Sequence, residues 1–138
     1  MTSDPDLNHV RHALKNTEFL VLQDMFLTET AQLADVVFPA CSFAEKDGTF
    51  TNSERRVQRV RKAIEPIGES KDDSWIVKEL AQRLIELGAV NPTQDAPHRG
   101  WDYASAADAM AEVNALTPIY GGITYERLNN GEQLQWPV

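Results

Sequence analysis

Four residues between Phe19 and Arg61, namely Asp24, Lys46, Arg55 and Arg56, have the chemistry of a ligand contact. Asp24 follows Gln23 at the end of the apolar run Phe19-Leu20-Val21-Leu22, and its carboxylate could accept hydrogen bonds from purine N–H groups or a ribose hydroxyl. Polar residues just past the C-terminal end of a parallel strand lie where open α/β sheets take ligands. The opposing reading is a carboxylate that only caps the next turn, and residue types alone do not separate the two. Lys46 sits in the turn Glu45-Lys46-Asp47-Gly48, where a point charge on a flexible stem could hold a phosphate. Arg55 and Arg56 could do the same, against the plainer alternative of a solvated basic face. Strand end, turn and basic ribbon in this order suggest a nucleotide-binding edge.

Bond-making chemistry finds less support. His9, His12 and His98 accompany no nucleophilic Ser or Cys motif and have no metal-ligand spacing. His9 and His12 lie three apart on a polar helix and are expected to be solvated. Cys41 is the only cysteine, which excludes an internal disulfide, a CxxC pair and a thiolate cluster within the chain, and it is expected to be a buried, inert thiol. Glu45 and Glu54 are expected to form weak surface pairs with Lys46 and Arg55. There is no GxGxxG and no Walker A pattern.

The 138 residues suit one domain or one lobe of a larger protein, and 42% hydrophobic with 25% charged residues is an ordinary globular composition. A net charge of -8 argues against nucleic acid as a partner, because phosphate binding draws on clustered Lys and Arg. Residues 45 to 62 hold six basic residues against three acidic, a local +3 that leaves -11 elsewhere. Such a stripe usually faces one anionic ligand or one acidic neighbour. No apolar run approaches the roughly 20 residues needed to span a bilayer, and the first residues lack a signal-peptide core. A soluble, cytoplasmic protein is expected.

These residues need elements to position them. Ser3-Asp4-Pro5-Asp6 precedes Leu7, Val10 and Leu14 at helical spacing, predicting a helix from Pro5 to Lys15. Phe19 to Leu22 predicts a strand buried on both faces of a parallel sheet. Thr28-Glu29-Thr30 should cap a short helix through Ala31, Leu33 and Ala34, before a second strand at Val36-Val37-Phe38 stopped by Pro39. Asp47-Gly48 marks a turn into a strand at Thr49-Phe50-Thr51, and Arg55 to Lys62 is favoured as extended rather than helical. After a polar loop from Glu69 to Asp73, Asp73 or Ser74 should cap a helix carrying Trp75, Ile76, Leu80, Leu84 and Leu87, stopped by Gly88. Asn91 to Gly100 is expected to be a linker or long loop, and Trp101 to Leu116 a last helix. The tail from Tyr120 holds Tyr125, Leu128, Leu134 and Trp136 with too little chain to bury them alone. The predicted class is α/β: a fragment of a parallel-sheet lobe (strand, helix, strand), then an extended ribbon and two or three helices.

The run FLVLQDMFLTETAQLADVVFPACSFAEKDGTFTNSERRVQRVRKAIEP resembles a segment of molybdopterin-dependent oxidoreductases, above all the large subunit of formate dehydrogenases. DDSWIVKELAQRL, YGGITYERL and LQWPV extend the resemblance over nearly the whole chain, although residues 88 to 115 contribute little. It implies residues 1–88 as part of the molybdopterin oxidoreductase α/β domain. Residues 89–138 would be linker, helix and tail leading toward a C-terminal dinucleotide-binding domain. It implies a molybdenum or tungsten ion held by bis(molybdopterin guanine dinucleotide). Gln23 and Asp24 would lie where relatives bind guanosine, Lys46 where a lysine approaches the cofactor, and Asp73 where a carboxylate meets it again. Thr28 is a further cofactor candidate, explained equally by helix capping. Arg55 and Arg56 match an ERR element and are assigned structural pairing.

The family's N-terminal cysteine motif for an iron-sulfur cluster, its metal-ligating cysteine or selenocysteine, and the neighbouring His and Arg have no counterpart here. The expectation is therefore a fragment of a formate dehydrogenase catalytic subunit, inactive alone, with no catalytic and no metal-binding residue of its own. Its partners would be the remaining domains of that subunit and iron-sulfur or NAD-reducing electron-transfer subunits. Two alternatives stand beside it: the homologous, metal-free subunit of NADH dehydrogenases, and a stand-alone interaction module whose basic ribbon docks an acidic partner.

Overall fold

The computed structural model describes residues 4–91 and 101–138. Helix α1 spans Leu7–Lys15 and starts two residues later than the sequence predicts. Its cap is Asp6, whose carboxylate takes the His9 N–H at 3.0 Å, so the capping that was expected of Ser3-Asp4-Pro5 is supplied one step further on. Ser3 lies outside the described residues.

Strand β1 is Val21–Asp24 and pairs in parallel with β2, Val36–Pro39, in the register Val21↔Val36 to Asp24↔Pro39. The sequence placed β1 at Phe19 to Leu22, with Gln23 and Asp24 beyond it. Pairing moves it, because the Leu20 carbonyl accepts from Val36 at 3.2 Å and the Asp24 carbonyl from Ala40 at 3.2 Å, which carries the ladder through the two polar residues. Neither strand holds a fully buried residue, so burial on both faces is not achieved by this chain: Val21 is exposed, and Phe19 still more so. The expected crossover helix shrinks to a single 3-10 turn, Ala31–Leu33, since the parallel pair leaves too little chain for more.

A second 3-10 turn, Phe43–Glu45, leads into β3, Gly48–Thr51, which pairs antiparallel with β4, Arg56–Val60. The favoured extended reading of the basic ribbon is thus observed for Arg56–Val60, while Arg55, Arg61 and Lys62 lie outside the strand. At the turn, the Asn52 side chain accepts from the Glu54 and Arg56 N–H groups at 3.0 Å each, and Arg55 takes a positive φ of 65°.

Helix α2 is Asp73–Glu86. Asp72, not Asp73 or Ser74, is its cap, accepting from the Ser74 N–H at 2.7 Å. Gly88 ends it with φ +70°, a conformation that residues bearing a Cβ resist. Of its apolar stripe Ile76 is buried, whereas Trp75, Leu80, Leu84 and Leu87 are exposed. Most of the expected 91–100 linker, with His98, lies outside the described residues. Helix α3 is Ala106–Leu116, five residues shorter than predicted, because Ser105 and Asp108 form a capping box that starts it there.

The tail forms α4, Tyr125–Asn129, and β5, Leu134–Gln135, which pairs antiparallel with β4 through Val57↔Leu134. The tail does not bury its hydrophobic residues alone, in line with the sequence reading, and the cover comes from β4 of this chain. Val57, Ile123, Leu128 and Leu134 make the main core, with Met110, Tyr120 and Trp136 packed against it. Each such aliphatic burial is worth about 1.5–3 kcal/mol. The tail succeeds because it borrows the ribbon's inner face, a partner some 70 residues earlier in sequence. Asn114 on α3 completes the closure: its amide donates to the Met110 and Ile123 carbonyls at 2.7 Å and accepts from the Gly122 and Ile123 N–H groups at 3.0 and 3.1 Å.

Candidate functional site

At its C-terminal end β1 delivers Gln23 and Asp24, and successive strand residues direct their side chains to opposite faces. Two hydrogen-bonded groups form there. In the first, the Asp73 carboxylate receives the Lys46 ammonium on Oδ2 and the Gln23 amide on Oδ1 at 3.4 Å. Three side chains from a strand, a loop and a helix start thereby converge. Asp73 can serve because Asp72 has taken over capping, and its charge is favoured in the first turn of α2 by the unsatisfied N–H groups there. The Lys46 and Asp73 side chains retain 24% and 43% of their exposure, so solvent reaches both.

In the second group, Asp24 accepts from the Phe26 N–H at 3.2 Å and the Thr28 hydroxyl at 3.4 Å, while Thr28 accepts from the Ala31 N–H at 3.3 Å. Asp24 and Thr28 thus do cap the turn after β1, and no hydrogen bond connects them with the Lys46 group among the described contacts. Capping leaves Asp24 with unused acceptor capacity, since a carboxylate has about four lone-pair sites.

Burial pushes the Lys46 ammonium toward neutrality, but the hydrogen bond and charge of Asp73, helped by Cys41 and Asp72, outweigh it and leave its pKa raised. Cys41 is 3% exposed, and its thiol is pushed up by burial, with Lys46 opposing and Asp72, Asp73 and Glu45 adding to the rise. It is the buried thiol that the sequence suggests. No group of three or more His, Cys, Asp or Glu able to hold a metal occurs among the described residues.

Glu45 differs from its expected role as a surface ion-pair partner of Lys46. It is buried, accepting from the Ser42 N–H at 2.6 Å and the Ile67 N–H at 2.9 Å. The Ser42-x-x-Glu45 spacing was the available signal, because it is the pattern of a capping box. Glu54 lies 3.7 Å from Arg56 rather than pairing with Arg55.

The basic ribbon is occupied within the chain. Arg55 lies over the Trp136 ring, Arg56 donates to Gln133 at 2.6 Å, and Arg59 lies 4.2 Å from the Tyr125 ring centroid while donating to the Gly48 carbonyl. Arg61 donates to Asn129, and Lys62 pairs with Glu65. The structural pairing assigned to Arg55 and Arg56 is therefore what is seen, and its partners come from the tail. A cleft of about 440 Å³ between α2 and α3 opens beside Asp73, lined by Val77, Trp101, Tyr103, Val113 and Leu116.

Comparison with known proteins bears on what this arrangement holds. Residues 1–83 match the family model described as molybdopterin oxidoreductase. The chain is 50% identical to the F420-dependent formate dehydrogenase subunit alpha of Methanocaldococcus jannaschii, over 99% of its own length and 19% of that protein. It is 47% identical to the F420-dependent formate dehydrogenase 1 subunit alpha of Methanococcus maripaludis, over 99% of itself and 18% of the relative. The chain thus spans less than a fifth of the length of these relatives. Among solved structures, acetylene hydratase from Pelobacter acetylenicus superposes with a TM-score of 0.60 over 95% of this chain and 16% of that one, at 22% identity, a likeness of fold.

Proposed function

Because this chain belongs to the molybdopterin oxidoreductase family, we propose that it is part of the catalytic subunit of a molybdenum- or tungsten-dependent formate dehydrogenase, where it supplies one wall of a guanine-dinucleotide cofactor site. The observation that supports this most is the convergence of Gln23, Lys46 and Asp73 at the end of β1, across 50 positions of sequence.

The donor set fits the group. Asp24 would accept from the N–H groups of a guanine, using the lone pairs that turn capping leaves. Lys46 would meet a phosphate oxygen, since an ammonium has three donors and Asp73 takes one. Gln23 and Asp73 would bind and orient the polar remainder of the cofactor, with Thr28 holding the Asp24 carboxylate in place. When bound, the cofactor supplies a metal centre that accepts two electrons as formate becomes carbon dioxide. This chain's residues bind and orient; none is assigned a proton or a bond in the reaction.

The rest of the subunit would bring the metal ligand, the substrate contacts and the second dinucleotide-binding region. The iron-sulfur centre belongs to that remainder. Electron-transfer subunits carrying iron-sulfur clusters or reducing NAD would receive the electrons. No helix among the described residues is long and apolar enough to cross a membrane, and a cytoplasmic setting is part of the proposal.

Titration of guanosine diphosphate into the isotope-labelled chain, following the backbone amides of Asp24 and Lys46, tests the reading. Both should shift, Lys46→Met should weaken binding about tenfold, and Asp24→Asn should erase any preference over adenosine diphosphate. No shift at either amide at millimolar nucleotide would sink it. The chain alone should reduce no dye with formate; formate-dependent reduction without another subunit would show that it carries a complete active site.

A further inference from the structure

Among the described residues Glu45 is the one charged residue that is buried, 6% exposed, and it forms no ion pair. Its charge is met by backbone. One oxygen accepts from Ser42, within its own turn, and the other from Ile67, 22 positions later. A buried carboxylate held by two N–H groups is a strong, directional tie, because removing either donor leaves charge without a partner. The same turn is held a second time through the Ala44 carbonyl, which accepts from Ala63 at 2.8 Å and Ile64 at 3.1 Å.

The two segments joined in this way carry the two halves of the Lys46–Asp73 pair. Lys46 follows Glu45 directly. Ile67 begins the loop that returns through Lys71 to the end of β2, with Lys71 N–H on the Pro39 carbonyl at 3.0 Å and Cys41 N–H on the Lys71 carbonyl at 2.9 Å, before Asp72 and Asp73 start α2.

We propose that Glu45 is the positioning residue of this site: its buried carboxylate fastens the turn bearing Lys46 to the loop bearing Asp73, and so presets the ammonium for the anionic part of a bound nucleotide. The mention of a nucleotide rests on the cofactor-contact reading above; the fastening of Lys46 to Asp73 does not. The Glu45 carboxyl is held below its ordinary value by the Ser42 hydrogen bonds first and by Ile67 as well, so the tie persists at neutral pH. Lys46 is faced by Asp73, Cys41 and Asp72.

The test uses lysine side-chain NMR on the 138-residue chain together with guanosine diphosphate binding. Glu45→Gln keeps the volume but turns one acceptor into a donor facing an N–H. In that variant the Lys46 titration should fall back from its raised position toward the ordinary lysine value, and nucleotide affinity should drop about tenfold, as in Lys46→Met. Ile67→Pro removes the second N–H while leaving the Glu45 carboxylate itself intact, at a residue that is 78% exposed, and should reproduce the effect should Glu45→Gln fail to fold. A folded Glu45→Gln or Ile67→Pro with a wild-type Lys46 titration overturns the proposal, as does loss of the folded state in both, which would make Glu45 a stability residue only. Absence of nucleotide binding by the wild-type chain would sink the cofactor reading, and the Lys46 titration would then decide the positioning role alone.

Discussion

Ile123 has no exposed surface, and Val57, Leu128 and Leu134 are nearly as well covered, whereas around β1 and α2 the residues Phe19, Phe26, Leu27 and Leu87 lie 63%, 70%, 80% and 80% exposed. The unit of β3, β4, β5, α3 and α4 closes on itself: its sheet has one face against the tail, and its cations find partners inside the chain. The unit of β1 and β2 is a two-stranded parallel sheet, a form that needs cover on both faces and finds little here. The candidate site lies in the open unit. A binding wall needs accessible polar groups at a strand end, and those are the groups a self-sufficient core would have covered.

Mutations that separate the two units test this contrast. The largest effect is expected at Ile123: replacement by Ala should cost about 3–4 kcal/mol in urea unfolding, because no solvent-exposed route lets the cavity collapse cheaply. Leu84→Ser on α2 should cost about 0.5 kcal/mol or less, and equal costs at both positions would erase the contrast. Asn114→Leu should cost about 2 kcal/mol, since it removes the donor to the Ile123 carbonyl and leaves the Gly122 and Ile123 N–H groups with the Tyr120 carbonyl alone, beneath a similar volume. Asp72→Ala should lose about 1 kcal/mol by removing the α2 cap, and Asp72→Asn should restore most of it; failure of that rescue would place the role of Asp72 outside capping.

A further small effect is electrostatic and belongs to the open unit. Lys46 has a raised pKa, so the pair with Asp73 stabilises the folded chain fully below the unfolded lysine value of about 10.4 and loses that contribution as pH climbs through the higher folded value. With both groups partly solvated the amount is about 0.5 kcal/mol. The urea midpoint of wild type should therefore fall relative to Lys46→Met above that pH. The opposite window holds for Glu45: its lowered value gives stability that is present above about pH 4.3 and is lost as acid brings pH through the folded value.

Local pattern was enough for several elements. Val36-Val37-Phe38 before Pro39, the Thr49-Phe50-Thr51 strand, the extended Arg56–Val60 part of the ribbon and the Gly88 stop all follow from side-chain branching, backbone freedom or charge spacing, which act over a few residues, whereas the turn expected at Asp47-Gly48 does not form because Gly48 already opens β3. The types of Asp24 and Lys46 marked both as binding candidates. Glu45 was legible only as a charge, although its spacing from Ser42 held the better clue. What covers the tail was not legible, because its partner surface lies far away in sequence and local hydrophobicity cannot say which distant strand will cover it.

The sequence by itself thus determined most of the longer elements, the family and the residues able to make polar contacts. The tertiary structure alone decided which of those contacts exist. It ended β1 at Asp24 through pairing with β2, released Asp73 by handing the α2 cap to Asp72, joined Asp73 to Lys46 and Gln23, and set Arg55, Arg56, Arg59 and Arg61 against the tail. The physical reason is range: propensities and caps act within a turn of chain, while a hydrogen bond between residues 23 and 73 exists only once distant segments have packed.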